Sequence, residues 1–132
     1  MLFRAETPSG NSLLMDAYPE EGAKSQGPTP VETLLSAIAA CSAMDVVNIL
    51  EKKRQRVTSY RVEVEGQRIP PGTWPRPFTS ITVKHVIQGE NIDHDAVRRA
   101  IELTDEKYCS VIATLREAPQ VISLWEVEDS KP

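Results

Sequence analysis

Residues 29–53 constrain the fold more than any other stretch. Thr29 can cap a helix, Pro30 suits the first helical position, and Glu32 stands three residues after Thr29, the spacing of a capping box. The run that follows, from Leu34 through Ala40 to Met44, carries no charge before Asp45. A helix to about Lys53 is expected, and one apolar nearly all round must be buried on most of its sides. It ends in Glu51-Lys52-Lys53-Arg54-Gln55-Arg56, which sets cations at the negative end of the helix dipole.

The flanking segments read as strands and further helices. Residues 2–17 form two short strands around the turn Thr7-Pro8-Ser9-Gly10-Asn11, and a polar loop, 18–28, leads to the helix. From Val57 the period changes to two: Tyr60, Val62 and Val64 alternate with Arg61, Glu63 and Glu65, the pattern of a half-buried strand. Gly66 to Pro77 is a proline-rich loop with Trp74 at its centre. A second strand carries Ile81, Val83, His85 and Ile87 on one face. After the turn Gly89-Glu90-Asn91, Asp93 caps a helix with Val97, Ala100, Ile101 and Leu103 as its apolar stripe. This helix breaks or kinks around Tyr108 to Ser110 and resumes to Ala118. Residues 120–128 make a last strand. The order ββ-α-ββ-α(α)-β is an α+β domain, an antiparallel sheet with a long buried central helix. That helix is more apolar than a small five-stranded sheet can cover, so a second copy of the chain is expected to complete its burial.

Residues 1–132 fit one domain. A formal charge of −4 argues against nucleic acid or an anionic membrane as partner, and no apolar run is expected to approach the ~18 residues of a membrane span. With no basic, apolar leader at the start, the cytoplasm is the expected compartment, where a permanent disulfide is improbable. The two cysteines, Cys41 and Cys109, are then inert core thiols or a dithiol that cycles between reduced and oxidised forms. With only His85 and His94 besides, and no Cys-x-x-Cys, a structural zinc site lacks ligands at the usual spacings. No metal and no cofactor are expected.

Two motifs carry a resemblance to a known family. Thr29-Pro30-Val31-Glu32-Thr33-Leu34-Leu35, ending in Ala39-Ala40-Cys41-Ser42-Ala43-Met44-Asp45, resembles the first cysteine helix of the OsmC/Ohr family, and Glu106-Lys107-Tyr108-Cys109-Ser110-Val111 resembles its second cysteine segment. The likeness runs from about residue 10 to 127. It implies an intertwined homodimer, with two central helices wrapped by sheets from both subunits, and thiol-dependent reduction of organic hydroperoxides. Carried over, Cys41 would be peroxidatic and Cys109 resolving, with a dithiol reductant reopening their disulfide. Two positions depart from the pattern. Where active members set an arginine, this chain has Ser9-Gly10-Asn11, and its only N-terminal arginine is Arg4. Where their catalytic glutamate follows the helix-starting proline, Val31 stands, with Glu32 one residue later and rotated by roughly 100°. These departures bring the chain nearer to an OsmC-like branch of unassigned activity.

The candidate site residues are therefore Cys41, Cys109 and Glu32, the last doubling as the capping-box partner. Asp45, one turn beyond Cys41, would raise the Cys41 pKa if both face the same way. A helix starting at Cys109 would lower that thiol's pKa through free backbone N–H groups. Asp45 needs a partner, and Arg4 is the candidate substitute for the missing arginine. His85 is expected as a hydrogen-bonded core or edge residue, and Trp74 either packs on its own loop or lids an apolar pocket. Two readings stand side by side: a cysteine-based hydroperoxide reductase, and a non-catalytic dimer that binds a small apolar ligand beside inert buried thiols.

Overall fold

The structure, a computed structural model, describes residues 1–127. Its framework is one helix, α1 (Pro30–Lys52), against which nearly every other element rests. The capping box forms as the spacing requires. The Glu32 amide donates to Thr29 Oγ1 at 3.2 Å, and the Thr29 amide donates back to Glu32 Oε2 at 2.8 Å. Ahead of it, the Asp16 carboxylate accepts from the backbone amides of Gln26 and Ala17, which draws the polar loop against the end of the first hairpin.

That hairpin pairs β1 (Leu2–Glu6) with β2 (Ser12–Asp16) through the expected turn. A second hairpin pairs β3 (Arg56–Arg68) with β4 (Phe78–Glu90), antiparallel over almost their whole length. The two hairpins remain separate two-stranded sheets rather than parts of one five-stranded sheet. Gly66 belongs to β3 and not to the loop, opposite Ile81. A Cβ there would collide with the Phe78 ring, so glycine is what lets that ring lie across the strand. Asp93 caps α2 (His94–Leu103), its side chain accepting from the Asp95 amide at 2.9 Å. The expected kink is a π-helical turn, Thr104–Tyr108, after which α3 (Ser110–Glu117) starts from Cys109.

The core gathers Val46, Leu50 and Ala100, with Val57, Tyr60, Ile87 and Ile101 packed around them. Within α1 the buried positions are Ile38, Ser42, Val46 and Leu50, a single stripe at four-residue spacing. Within one chain the helix is buried on one side only, with Met44 68% exposed and Leu34 also open; the expectation of burial on most sides rested on a second copy of the chain. By length and composition α1 could cross a bilayer, because its run is apolar on average although Glu32 and Asp45 interrupt it. Its packing on β3 and α2 marks it as a core helix.

The last strand does not form. Residues 118–127 have no regular structure, and Val121, Ile122, Leu124, Trp125 and Val127 are exposed; residue 128 of that expected strand lies outside the described residues. The apolar content of this segment supplies no hydrogen-bonding neighbour: among the described residues β1 pairs only with β2 and β3 only with β4. If the α1 stripe carries the core, Leu50→Ala should cost about 3 kcal/mol, within the ~2–5 of buried leucine truncations. Urea unfolding reads this directly, and a loss below about 1 kcal/mol would place the core elsewhere.

Candidate functional site

The burial of Ile38, Ser42, Val46 and Leu50 fixes the rotation of α1, and with it the stripe one position back. Cys41 and Asp45 lie on that neighbouring stripe, one turn apart and both half-buried. Cys109 arrives from the other side. The π-helical turn ends in its amide, which donates to Thr104 O at 2.9 Å, and the residue leaves helical geometry at φ −74°, ψ 101° before α3 begins. Thr104 anchors the turn, fully buried, with Oγ1 donating to Ala100 O at 2.9 Å. Cys109 is 2% exposed.

These constraints converge the two sulfurs and an Asp45 carboxylate oxygen within 4.8 Å of one another. Both thiols are free. A disulfide needs sulfurs about 2.05 Å apart, so less than ~3 Å of closure separates the reduced pair from the bridged one. The sequence spacing of 68 residues gave no hint of that approach, since it is set by where α3 packs on α1.

The Cys109 thiol is pushed up from its ordinary range. Burial is the largest cause, helped by the neighbouring Cys41, while hydrogen bonds from the Ile112 and Val111 amides pull the other way. The expected lowering by a helix N-terminus is therefore present but loses to desolvation. Asp45 does share the face of Cys41, as its spacing allowed.

Glu32 is not brought to the cysteines. It is engaged in the capping box, nine residues and roughly 13 Å along the helix from Cys41. Arg4 lies on exposed β1 and approaches Glu6 at 3.6 Å. Trp74 is 79% exposed and neither packs down on its loop nor roofs a pocket. Instead Arg76, Pro77 and Phe78 from the end of that loop line a cleft of about 790 Å³. Ile38 and Ile112 also line it, each three residues along the chain from a site cysteine, while neither cysteine is itself part of its lining. Arg76 and Arg116 are its cations. The Arg76 guanidinium donates to Ile69 O at 3.0 and 3.1 Å, and Arg116 Nη1 donates to Asp105 O at 2.7 Å. Sequence reading missed both arginines, because neither sits in a motif and only the fold of the loop and of α3 turns them to one place.

His85 faces the same cleft and is hydrogen-bonded, as its position on the apolar face of β4 suggested. Ser42 Oγ lies 3.3 Å from its Nε2, and the Tyr60 hydroxyl meets its Nδ1. Burial lowers the His85 pKa, partly offset by the Asp105 charge, and burial raises the Tyr60 phenol to about 12. Both side chains are therefore neutral near pH 7, and the pair satisfies Ser42 inside the core stripe.

Comparison with known proteins places this geometry. The model of the family described as OsmC-like protein matches residues 22–123. Protein YhfA of Escherichia coli K12 is 38% identical over 127 residues, covering 96% of this chain and 90% of that protein. A hypothetical protein of Aquifex aeolicus VF5, solved by crystallography, is 31% identical at a TM-score of 0.64, with 89% of this chain and 87% of that one covered. An OsmC-like hydroperoxide resistance protein of Jannaschia sp. CCS1 shares the fold at 16% identity, with a TM-score of 0.63 and coverage of 91% and 77%.

The raised Cys109 pKa has a measurable consequence. A buried thiol whose folded pKa exceeds its unfolded value adds stability below the unfolded pKa and loses it as pH rises through the folded one. In Cys41→Ser, followed by the ultraviolet absorbance of the thiolate, Cys109 should still ionise at a higher pH than an ordinary thiol, because burial, the largest cause, is retained. A midpoint at or below that of an ordinary thiol would show that the helix N-terminus outweighs burial.

Proposed function

The chain belongs to the OsmC-like family, and from that premise we propose that it is a thiol-dependent peroxidase of oxidative stress defence, reducing organic hydroperoxides through a Cys41/Cys109 dithiol–disulfide cycle. The observation that carries this reading is the approach of the two sulfurs within 4.8 Å. Cys41, half-exposed on α1, attacks the distal peroxide oxygen as the thiolate. The O–O bond breaks, the alcohol leaves with a proton, and Cys41 becomes a sulfenic acid. Cys109 then attacks that sulfur, releasing water and closing the disulfide. A dithiol reductant reopens it by exchange, which suits a reducing compartment such as the cytoplasm. Apolar residues Leu34, Ile38, Phe78 and Ile112 favour the organic part of a fatty or aromatic hydroperoxide over hydrogen peroxide. Arg76 and Arg116 supply positive charge in that cleft, in place of an arginine from the N-terminal turn.

The working unit in this reading is a homodimer. Met44 and Tyr108, at 68% and 55% exposure near the two cysteines, and the bare apolar residues 121–127 are the surfaces that a second copy would cover. Sedimentation should then give twice 14.7 kDa. A monomer at micromolar concentration would remove the dimer from the account.

One observation favours the other reading, a ligand-binding dimer with inert thiols: burial holds Cys109 in its less reactive protonated form. A direct experiment separates the two. Reduced protein is mixed with one equivalent of an alkyl hydroperoxide, and intact mass and free thiols are followed over seconds. The peroxidase reading expects loss of two hydrogens and both thiols, abolished by Cys41→Ser, and a trappable sulfenic acid in Cys109→Ser. Thiols unchanged after minutes would leave the binding protein as the better description.

A further inference from the structure

We infer that Cys41, Asp45 and Cys109 form a binding site for a thiophilic divalent cation of the Zn²⁺ class, and that the metal masks the dithiol. The inference uses the same thiols as the proposed peroxidase but does not depend on their reacting with peroxide. Three donor atoms of these residues already lie within 4.8 Å of one another. In a tetrahedral site, Zn–S distances of ~2.3 Å and Zn–O distances of ~2.1 Å put the donors about 3.6–3.8 Å apart. The cluster therefore has to contract by at most about 1 Å, within the compass of side-chain rotation on an unchanged backbone.

The arrangement meets the other requirements of such a site. Cys41 and Asp45 are one turn apart on α1, so a single helix face presents two ligands, while Cys109 comes from the junction ahead of α3. Two elements thus hold the donors, and α1 is fixed in rotation by its buried stripe. Two sulfurs and one carboxylate suit Zn²⁺ and exclude Mg²⁺ or Ca²⁺, which take oxygen ligands. Three protein ligands leave the fourth position to water, and Cys41 and Asp45 are only half-buried, so the site has a side open to entry. Binding converts two thiols to two thiolates and releases two protons, so affinity rises with pH. This route also gives Asp45 the partner that a carboxylate on a mostly apolar helix requires.

The expectation from sequence that metal ligands are too few at the usual spacings rested on counting cysteines and histidines alone. Asp45 is the third donor, and the contact of α3 with α1 supplies the proximity.

The test is a titration of reduced, full-length protein with Zn²⁺ against a chromophoric chelator. One equivalent should bind with micromolar or tighter affinity, and Asp45→Asn should weaken it at least tenfold. Cd²⁺ should produce a thiolate-to-metal charge-transfer band that is reduced in Cys109→Ser and in Cys41→Ser, each verified as folded by circular dichroism. One equivalent of Zn²⁺ should slow alkylation of both thiols at least tenfold, with recovery on adding chelator. The inference is overturned if wild-type protein binds no Zn²⁺ at micromolar concentration, or if Asp45→Asn binds as tightly as wild type. Zinc binding with peroxide-insensitive thiols would support this site while removing the peroxidase, so the two proposals fail separately.

Discussion

The seating of one stripe of α1 governs the rest of the molecule. Ile38, Ser42, Val46 and Leu50 go inward at four-residue spacing, and this alone sets which way every other side chain of the helix points. Ser42 is the polar member of the stripe, and it is accommodated because His85 reaches it from β4, held in turn by Tyr60. An unpaired hydroxyl there would cost about 1–3 kcal/mol, so the Ser42–His85 contact locks helix to sheet at a defined rotation. Cys41 and Asp45, one position back, consequently lie beside the buried stripe rather than within it. Half-burial leaves them reachable while still backed by packed neighbours.

The second cysteine depends on a different device. A continuous helix from His94 to Glu117 would place residue 109 by helical periodicity alone. The π-helical turn adds residues to one turn and ends it in an extended residue, so α3 restarts in a new direction. Cys109 sits at that restart. Its thiol feels two opposed influences, amides at the start of α3 and the low-dielectric interior, and the interior prevails. A site built this way keeps Cys109 protonated until something draws the proton off: an oxidised Cys41 in the peroxidase account, a metal ion in the other.

What could be read from the sequence was whatever depends on neighbours along the chain. The capping box of Thr29 and Glu32, the cap at Asp93, the alternation of β3 and β4 and the break before Ser110 all follow from local chemistry, and all appear. The two cysteine motifs likewise pointed to the OsmC-like family, which the family match bears out. What could not be read depends on long-range packing. Residues 120–127 are rich in the apolar residues of a strand but have no strand beside them among the described residues. Trp74 was expected to pack on its own loop or to lid a pocket and does neither, whereas Arg76, two positions on, is the one that turns inward. Glu32 has the right residue type for catalysis, yet its geometry is accounted for by the cap. The convergence of Cys41, Asp45 and Cys109 arises from the meeting of α1 with the start of α3, which no spacing along the chain encodes.

The central claim is that Cys41 and Cys109 act as one dithiol. The most direct measurement equilibrates the protein across a series of dithiothreitol redox buffers and quenches the thiols by acid. Peptide mass spectrometry then reads the fraction linked as Cys41–Cys109. The account predicts a single two-electron transition to that linkage within one polypeptide. Thiols that stay free at every poise, or that link only between chains, would contradict it.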